Sequence, residues 1–383
     1  MKTLYTNANI YDSDVKEFIL GELCVEDGMI SYIAGGLFAS DHSDVEVVDL
    51  GGAYLVPGFV DVHSHGRASG DFVCADKQRL EQMTVSYVNS GVTSIMSTLA
   101  TSAYDELCAA IDRIVDYDGK YAEAILGIHL EGRYLNPKFK GAHAEWLLAE
   151  PDAAEIAELV RKMSRAGLVH VSAALELDKS GDFTRAAIEN GATVGIAHTG
   201  ANYEEAQLAF DRGAVSITHT FNAMTPLHHR DGGVITAALN NDEVYCELIA
   251  DGFHVAPAVV KLLYNMKGEH TVLVSDSMEA TDCPDGEYSI ADLPVTVRDG
   301  KATTREGAIA GSTLSLIDGI KNLANFAHIR FEDALYCATA SPAMMVGAYD
   351  SVGSLDVGKR ANMLVLDDEF NVKSVILDGN KVK

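Results

Sequence analysis

Short apolar runs recur through the middle of the chain, separated by amphipathic stretches of helical length. Tyr54 to Val62, Val92 to Thr98, Ala124 to Leu130 and Leu168 to Leu175 form the first four runs. Thr193 to Ala197, Ala214 to Thr218, Val244 to Ala250 and Thr271 to Ser275 form the next four. Each has the length of a strand. Between them, stretches such as Lys77 to Asn89 and Pro151 to Arg165 place apolar residues at helical spacing, with Gly91 and Gly167 as stop signals. The runs are apolar on both faces, which predicts strands covered on both sides. The expected fold is therefore α/β, a TIM-like (β/α)8 barrel of parallel strands. A doubly wound open sheet would want a glycine-rich phosphate turn after an early strand, and the chain has none.

The two ends have another texture. Residues 1–53 and 347–383 read as short alternating strands punctuated by turn residues, as in Gly21 to Gly28 and Ala361 to Asp367. They are expected to pair into one small β domain beside a barrel spanning residues 54–346.

Composition narrows the partners. With 383 residues, 48% hydrophobic and 22% charged, the chain has the profile of a soluble globular protein able to bury a large core. The balance of 29 Lys and Arg against 56 Asp and Glu gives a net charge of -27, which repels nucleic-acid backbones and anionic membrane surfaces. An anionic substrate would need a local basic pocket. The start, Met1 to Tyr5, lacks a charged leader followed by an apolar segment, and no apolar run reaches the roughly 20 residues of a spanning helix. A cytoplasmic protein with no nucleic-acid or membrane partner is expected. Six cysteines lie far apart with no CxxC pair, so the expectation is buried, reduced thiols.

The candidate chemistry sits at the tails of the apolar runs. His63 and His65 follow the first run and, two residues apart, point to the same side. Glu131 ends the third, His198 the fifth, His219 the sixth and Asp276 the eighth. In a barrel of this kind the strand C-termini converge on one axial point, so these residues can gather into a metal site. Imidazole and carboxylate suit Zn, Fe, Mn or Co, and a mixed N/O set leaves room for water, whereas a closed structural zinc site more often uses cysteines.

Each piece has a plainer explanation. An isolated His-x-His is frequently incidental, and Glu131 could be a surface carboxylate. Its neighbours Ile128, His129 and Leu130 are apolar-rich, however, and an unpaired Glu rarely sits there. His129 reads as a core histidine supporting the site, with ligand as the lesser option. His42, His170, His270 and His328 have no supporting context and read as structural or solvated.

Several motifs together resemble one family. They are Ile128-His129-Leu130-Glu131-Gly132, Lys140-Gly141-Ala142-His143, Ala197-His198-Thr199, Thr218 to Met224, Ala250 to His254, Val274-Ser275-Asp276 and Ala310 to Leu314. This set resembles the N-acetylglucosamine-6-phosphate deacetylases of the amidohydrolase superfamily, and Gly353 to Asn362 resembles that superfamily's return to its small β domain. The likeness covers nearly the whole chain. It departs from the family pattern at Arg133-Tyr134, where proline commonly follows the Glu-Gly pair, and at Arg67 to Asp71, where a glycine-rich run is common.

The resemblance implies hydrolysis of the acetamide of N-acetyl-D-glucosamine 6-phosphate to D-glucosamine 6-phosphate and acetate. Glu131, His198 and His219 match the ligands of the principal metal, with zinc first among the candidate ions. His63 and His65 imply capacity for a second ion, with Glu131 as the bridge. Asp276 matches the catalytic aspartate that takes a proton from water and delivers it to the departing amine. His143 matches the histidine that donates to the carbonyl oxygen or its oxyanion. Arg230 matches a phosphate-binding arginine, a role that suits a guanidinium fork. Asn222, Ala223 and His254 match further phosphate and sugar contacts, Ala142 lies beside His143, and Ile309, Ala310 and Gly311 match the loop bordering the sugar. A homodimer is implied as well, with Arg230 reaching across its interface. Competing functions are deacetylation of N-acetylgalactosamine 6-phosphate, another amidohydrolase reaction on a cyclic amide, a silent scaffold, and a binding module. The last two would have no use for Asp276 alongside a complete ligand set.

Overall fold

The computed structural model describes residues 2–36, 45–290 and 293–383. Its central sheet has eight strands: Phe59–Ser64, Val92–Ala100, Ile125–Glu131, Leu168–Ala173, Ala192–Ile196, Ser216–Ile217, Tyr245–Leu248 and Thr271–Leu273. Every neighbouring pair is parallel and consecutive in sequence. The seam between the last and first strands closes at the C-terminal ends, where Asp276 N donates to His63 O at 2.9 Å and Ser64 bridges Ser277. The expected (β/α)8 barrel is present. Its covering helices start as the chain chemistry requires: Asp76 caps Lys77–Asn89 by accepting from Arg79 N, and Asn202 forms a capping box with Glu205 on Tyr203–Asp211. Their apolar faces, among them Leu80, Met83, Ile156, Leu159 and Phe183, pack on the outside of the strands in one core.

The chain ends do pair into a second sheet. Its order runs Asn380–Lys381, Val372–Leu377, Met363–Leu366, Tyr54–Pro57, Lys2–Asp12, Glu17–Glu26, Met29–Gly35, with Glu46–Asp49 added beside Lys2–Asp12. The run from Tyr54 to Val62 is therefore two strands. Tyr54–Pro57 pairs antiparallel with Met363–Leu366 in the small sheet, and the barrel begins at Phe59. Gly58 lies at the changeover because a Cβ there would come within 2.0 Å of Thr93 Oγ1.

One element was not foreseen. Gly286–Ile290, Leu293–Arg298 and Lys301–Thr304 form an antiparallel three-stranded sheet after the eighth barrel strand. Ile290, Val295, Val297 and Ala302 bury a small cluster with Met278, Ala280 and Ala310, so this sheet leans on the segment just past Asp276.

The cysteine expectation needs correcting. Among the described residues no disulfide forms, and Cys24, Cys246 and Cys337 are buried, but Cys74 is exposed and Cys108 and Cys283 are half-buried. Cys74 follows the short hairpin Gly66 to Asp71. Among the described residues no helix is long and apolar enough to cross a membrane.

Candidate active site

The strand ends deliver the candidate ligands to one place. Glu131 is the last residue of the third barrel strand, while His198, His219 and Asp276 sit just beyond the fifth, sixth and eighth. These last three adopt left-handed backbone, at φ 45°, 31° and 46°. L-residues seldom tolerate that conformation, which costs on the order of 1–3 kcal/mol each and persists where the surroundings over-determine it. All six candidate ligands are buried.

Two triplets result, Glu131 with His198 and His219, and His63 with His65 and Asp276, each with its ligand atoms within 4.8 Å of one another. The carboxylate of Glu131 is shared between them. Its Oε1 lies 2.9 Å from His219 Nε2 and 3.2 Å from His198 Nε2. Its Oε2 lies 3.0 Å from His65 Nε2 and 3.4 Å from His63 Nε2. Asp276 Oδ1 completes the second triplet at 3.3 Å from His65 Nε2 and 3.5 Å from His63 Nε2.

The residues fit a divalent cation. Nε2 of His198 and Nε2 of His219 lie 3.1 Å apart, both beside Glu131 Oε1. Four-coordinate bonds of about 2.0–2.1 Å require ligand separations of roughly 3.3 Å, close to those seen. Among the described residues, buried His63 Nε2 has no hydrogen-bond partner. The ion-pair partners of Glu131 and Asp276 are all histidines, so no Lys or Arg among the described residues neutralises these buried carboxylates. Two clusters of imidazole and carboxylate donors for divalent metal are thus in place.

The electrostatics agree. Burial opposes ionising Glu131, but His63 and the hydrogen bonds from His198 and His219 outweigh it and hold the carboxyl well below its usual range. Burial likewise opposes protonating His65, yet Asp276 and Glu131 raise it to about 9. The site attracts cations, protons included.

Neighbours fix the imidazoles. His198 Nδ1 donates to Phe139 O at 2.8 Å and His63 Nδ1 to Glu247 Oε2 at 2.9 Å, so the neutral form of each ring leaves an Nε2 lone pair for a metal. His143 Nδ1 is 2.8 Å from Thr101 Oγ1, and its Nε2 is 3.7 Å from Glu131 Oε2. Burial and the nearby His198 push His143 down to about 3, so it stays neutral. Phe139, Thr101 and Glu247 escaped the sequence reading. Only Glu247 carried a signal, a carboxylate inside the apolar run Val244 to Ala250.

Arg133 gains a reason here. Its amide donates to Thr101 Oγ1 at 3.1 Å from a backbone at φ 40°. Proline, with no N–H and φ held near about −65°, could do neither. Its guanidinium pairs with Glu155 at 3.1 Å.

The other expected residues are distributed unevenly. Gly141 packs so that a Cβ would be 3.1 Å from His198 Cε1 and 3.7 Å from Ala223 Cβ, which sets the Ala142-His143 loop against the cluster. Asn222 Nδ2 donates to His219 O at 3.1 Å, and Ala223 O accepts from Thr199 N at 3.1 Å. Ile309, Ala310 and Gly311 follow the three-stranded sheet, with Ile309 bridged to Thr303, and the next residue, Ser312, donates its N–H to Asp276 O at 2.7 Å. A Cβ on Gly311 would meet Met278 and Ile290 at 3.1 Å, and φ is 61°, so glycine is required. His254 is held by Asp251, Nδ1 to Oδ2, at 2.7 Å. Arg230 is exposed on a turn closed by His228 and Asp231, its Nη1 3.0 Å from His229 Nε2, and is not drawn into the ligand cluster of this single chain.

Of the remaining histidines, His129 is buried between Thr98 Oγ1 at 3.1 Å and Ser172 Oγ at 2.8 Å, a supporting role as expected. His170 is buried on Thr193 Oγ1 at 2.9 Å. His270 packs on Tyr245, His328 ends a helix in left-handed backbone, and His42 lies outside the described residues.

Fold and site together define a metal-dependent hydrolase of the amidohydrolase type, and residues 54–382 match the amidohydrolase family. The chain is 34% identical to N-acetylglucosamine-6-phosphate deacetylase of Vibrio furnissii, over 93% of this chain and 89% of that one. It is 32% identical to N-acetylgalactosamine-6-phosphate deacetylase of Escherichia coli O157:H7, over 93% and 94%. Solved structures of N-acetylglucosamine-6-phosphate deacetylase from Pasteurella multocida, and from Mycobacterium smegmatis in complex with N-acetyl-D-glucosamine-6-phosphate, each superpose with a TM-score of 0.92 at 28% identity, covering 100% of this chain and 99% of theirs. The chain belongs to the amidohydrolase family. Within it, the chain belongs to the N-acetylglucosamine-6-phosphate deacetylase family.

Proposed function

We propose that this enzyme hydrolyses the acetamide of N-acetyl-D-glucosamine 6-phosphate, releasing acetate and D-glucosamine 6-phosphate in amino-sugar breakdown. The observation that carries this reading is the shared carboxylate of Glu131 between two histidine sets, with Asp276 and neutral His143 on the same cluster. Glu131, His198 and His219 would hold the principal divalent ion, and His63, His65 and Asp276 would serve a second. When bound, such an ion lowers the pKa of water from about 15.7 towards about 7 and polarises a carbonyl.

The protein's own groups do the rest. Asp276 accepts a proton from the attacking water and returns it to the departing nitrogen, which leaves poorly without it. His143 presents its Nε2–H to the carbonyl oxygen and stabilises the charge that develops there. Asn222, Ala223 and His254 line the sugar phosphate, and Ala142 with Ile309 to Gly311 borders the ring. Arg230 grips the phosphate. Its exposure in one chain suits a homodimer in which it completes the neighbouring copy's pocket. Zinc is the first candidate ion, with Fe, Mn and Co acceptable to the same donors.

The second reading is the galactosamine epimer, favoured by the Escherichia coli O157:H7 relative. Acetate release from N-acetylglucosamine 6-phosphate, its galactosamine epimer and unphosphorylated N-acetylglucosamine decides. The glucosamine phosphate should give the highest kcat/KM. A higher value for the epimer replaces the substrate, and equal values with and without phosphate remove the phosphate contact.

A further inference from the structure

We propose that Glu247 is the positioning residue that makes His63, His65 and Asp276 a second metal subsite. This rests on the metal reading above and deepens it by assigning what controls the second ion.

Glu247 lies in the seventh barrel strand and is completely buried. Its Oε2 accepts from His63 Nδ1 at 2.9 Å and from the main-chain N–H of His219 at 3.2 Å. Its main-chain carbonyl takes Thr220 N at 2.9 Å. One residue thus touches a ligand of each triplet. A carboxylate here is costly for the fold: among the described residues its Oε1 has no hydrogen-bond partner and its one ion-pair partner is His63. An apolar side chain in this strand would pack without that cost.

Two consequences follow from placing charge there. The first is orientation. With Nδ1–H committed to Glu247, His63 can offer only its Nε2 lone pair, and that atom is the one left unpartnered between Glu131 and Asp276. The second is charge. Glu131, Asp276 and Glu247 place three carboxylates in one buried cluster without a Lys or Arg ion-pair partner among the described residues. A single divalent ion leaves that set net negative, and a second ion reverses the sign.

The test is metal content. Wild type, Glu247→Gln and Glu247→Ala are loaded with Mn(II), freed of unbound metal, and measured for ions per chain and for spin coupling by electron paramagnetic resonance. Wild type should carry a coupled pair. Glu247→Ala should carry one uncoupled ion. Glu247→Gln keeps an acceptor for His63 Nδ1 but no charge, so it should retain the pair at saturating metal with roughly 10–100-fold weaker affinity for the second ion. A coupled pair of wild-type affinity in Glu247→Ala overturns the proposal. If that variant does not fold, unchanged second-ion affinity in Glu247→Gln overturns it equally. Wild type with one ion, unaffected by either substitution, overturns it too while leaving the Glu131, His198 and His219 site standing. Wild type with none removes the metal reading itself.

Discussion

Thr101 and His143 are joined by a 2.8 Å hydrogen bond that a third group also touches. Thr101 Oγ1 also accepts from the amide of Arg133 at 3.1 Å, and giving its own hydrogen to His143 Nδ1 satisfies this buried hydroxyl as donor. The neutral imidazole then carries its own hydrogen on Nε2, the tautomer that can donate to a carbonyl oxygen. Thr101→Val should therefore lower kcat about tenfold with little change in KM, and Thr101→Ser should restore it. Equal kcat for Thr101→Val and wild type would remove the relay. Gly132 adds a check, since a Cβ there would come within 2.1 Å of Thr101 Oγ1, and Gly132→Ala should reproduce the loss.

Asp276→Asn should keep the ion held by Glu131, His198 and His219 yet lose roughly 10²–10⁴ in kcat, because an amide can neither take the proton of water nor hand it to the amine. Single-turnover acetate release alongside metal analysis checks this. A metal-bearing variant near the wild-type rate would falsify the proton shuttle.

Protons and metal compete for the same nitrogens. In the metal-free site His65 is raised to about 9, so below that pH an ion must displace its proton. Metal affinity should rise with pH up to about 9 and fall on acidification, by about tenfold per pH unit for each proton displaced. Titration with a chromophoric chelator at several pH values measures the slope. A flat profile would show that the imidazoles are unprotonated before the ion arrives.

Arg230→Ala should raise KM for the phosphorylated sugar roughly 10–100-fold, the worth of a charge-assisted contact, and leave the unphosphorylated sugar unchanged. Arg230→Lys should recover only part, since an ammonium cannot make the two-pronged contact. Parallel loss on both sugars would mean that the turn it occupies matters, and not its charge.

Much of this was readable before any coordinates. The spacing of the apolar runs anticipated the barrel because each strand is buried on both faces, and the candidate ligands were legible because they follow those runs. What escaped was decided by pairing. Tyr54 to Val62 reads as one largely apolar run, and although Pro57-Gly58 is a local break, only the pairing shows that the chain passes there from one sheet to the other. The three-stranded sheet was within reach: Asp299 and Gly300, at φ 51° and 73°, are a hairpin turn between alternating strands. The strong beat of the barrel masked it.

The residue order alone determined which groups stand at the strand ends, because side-chain alternation and strand termination are local properties of the backbone. Only the closed barrel decided how they meet. Glu131 divides its two oxygens between four histidines from three other segments, and Glu247 finds His63 from 184 residues away. Such contacts depend on the register and closure of all eight strands together, which no single stretch of sequence encodes.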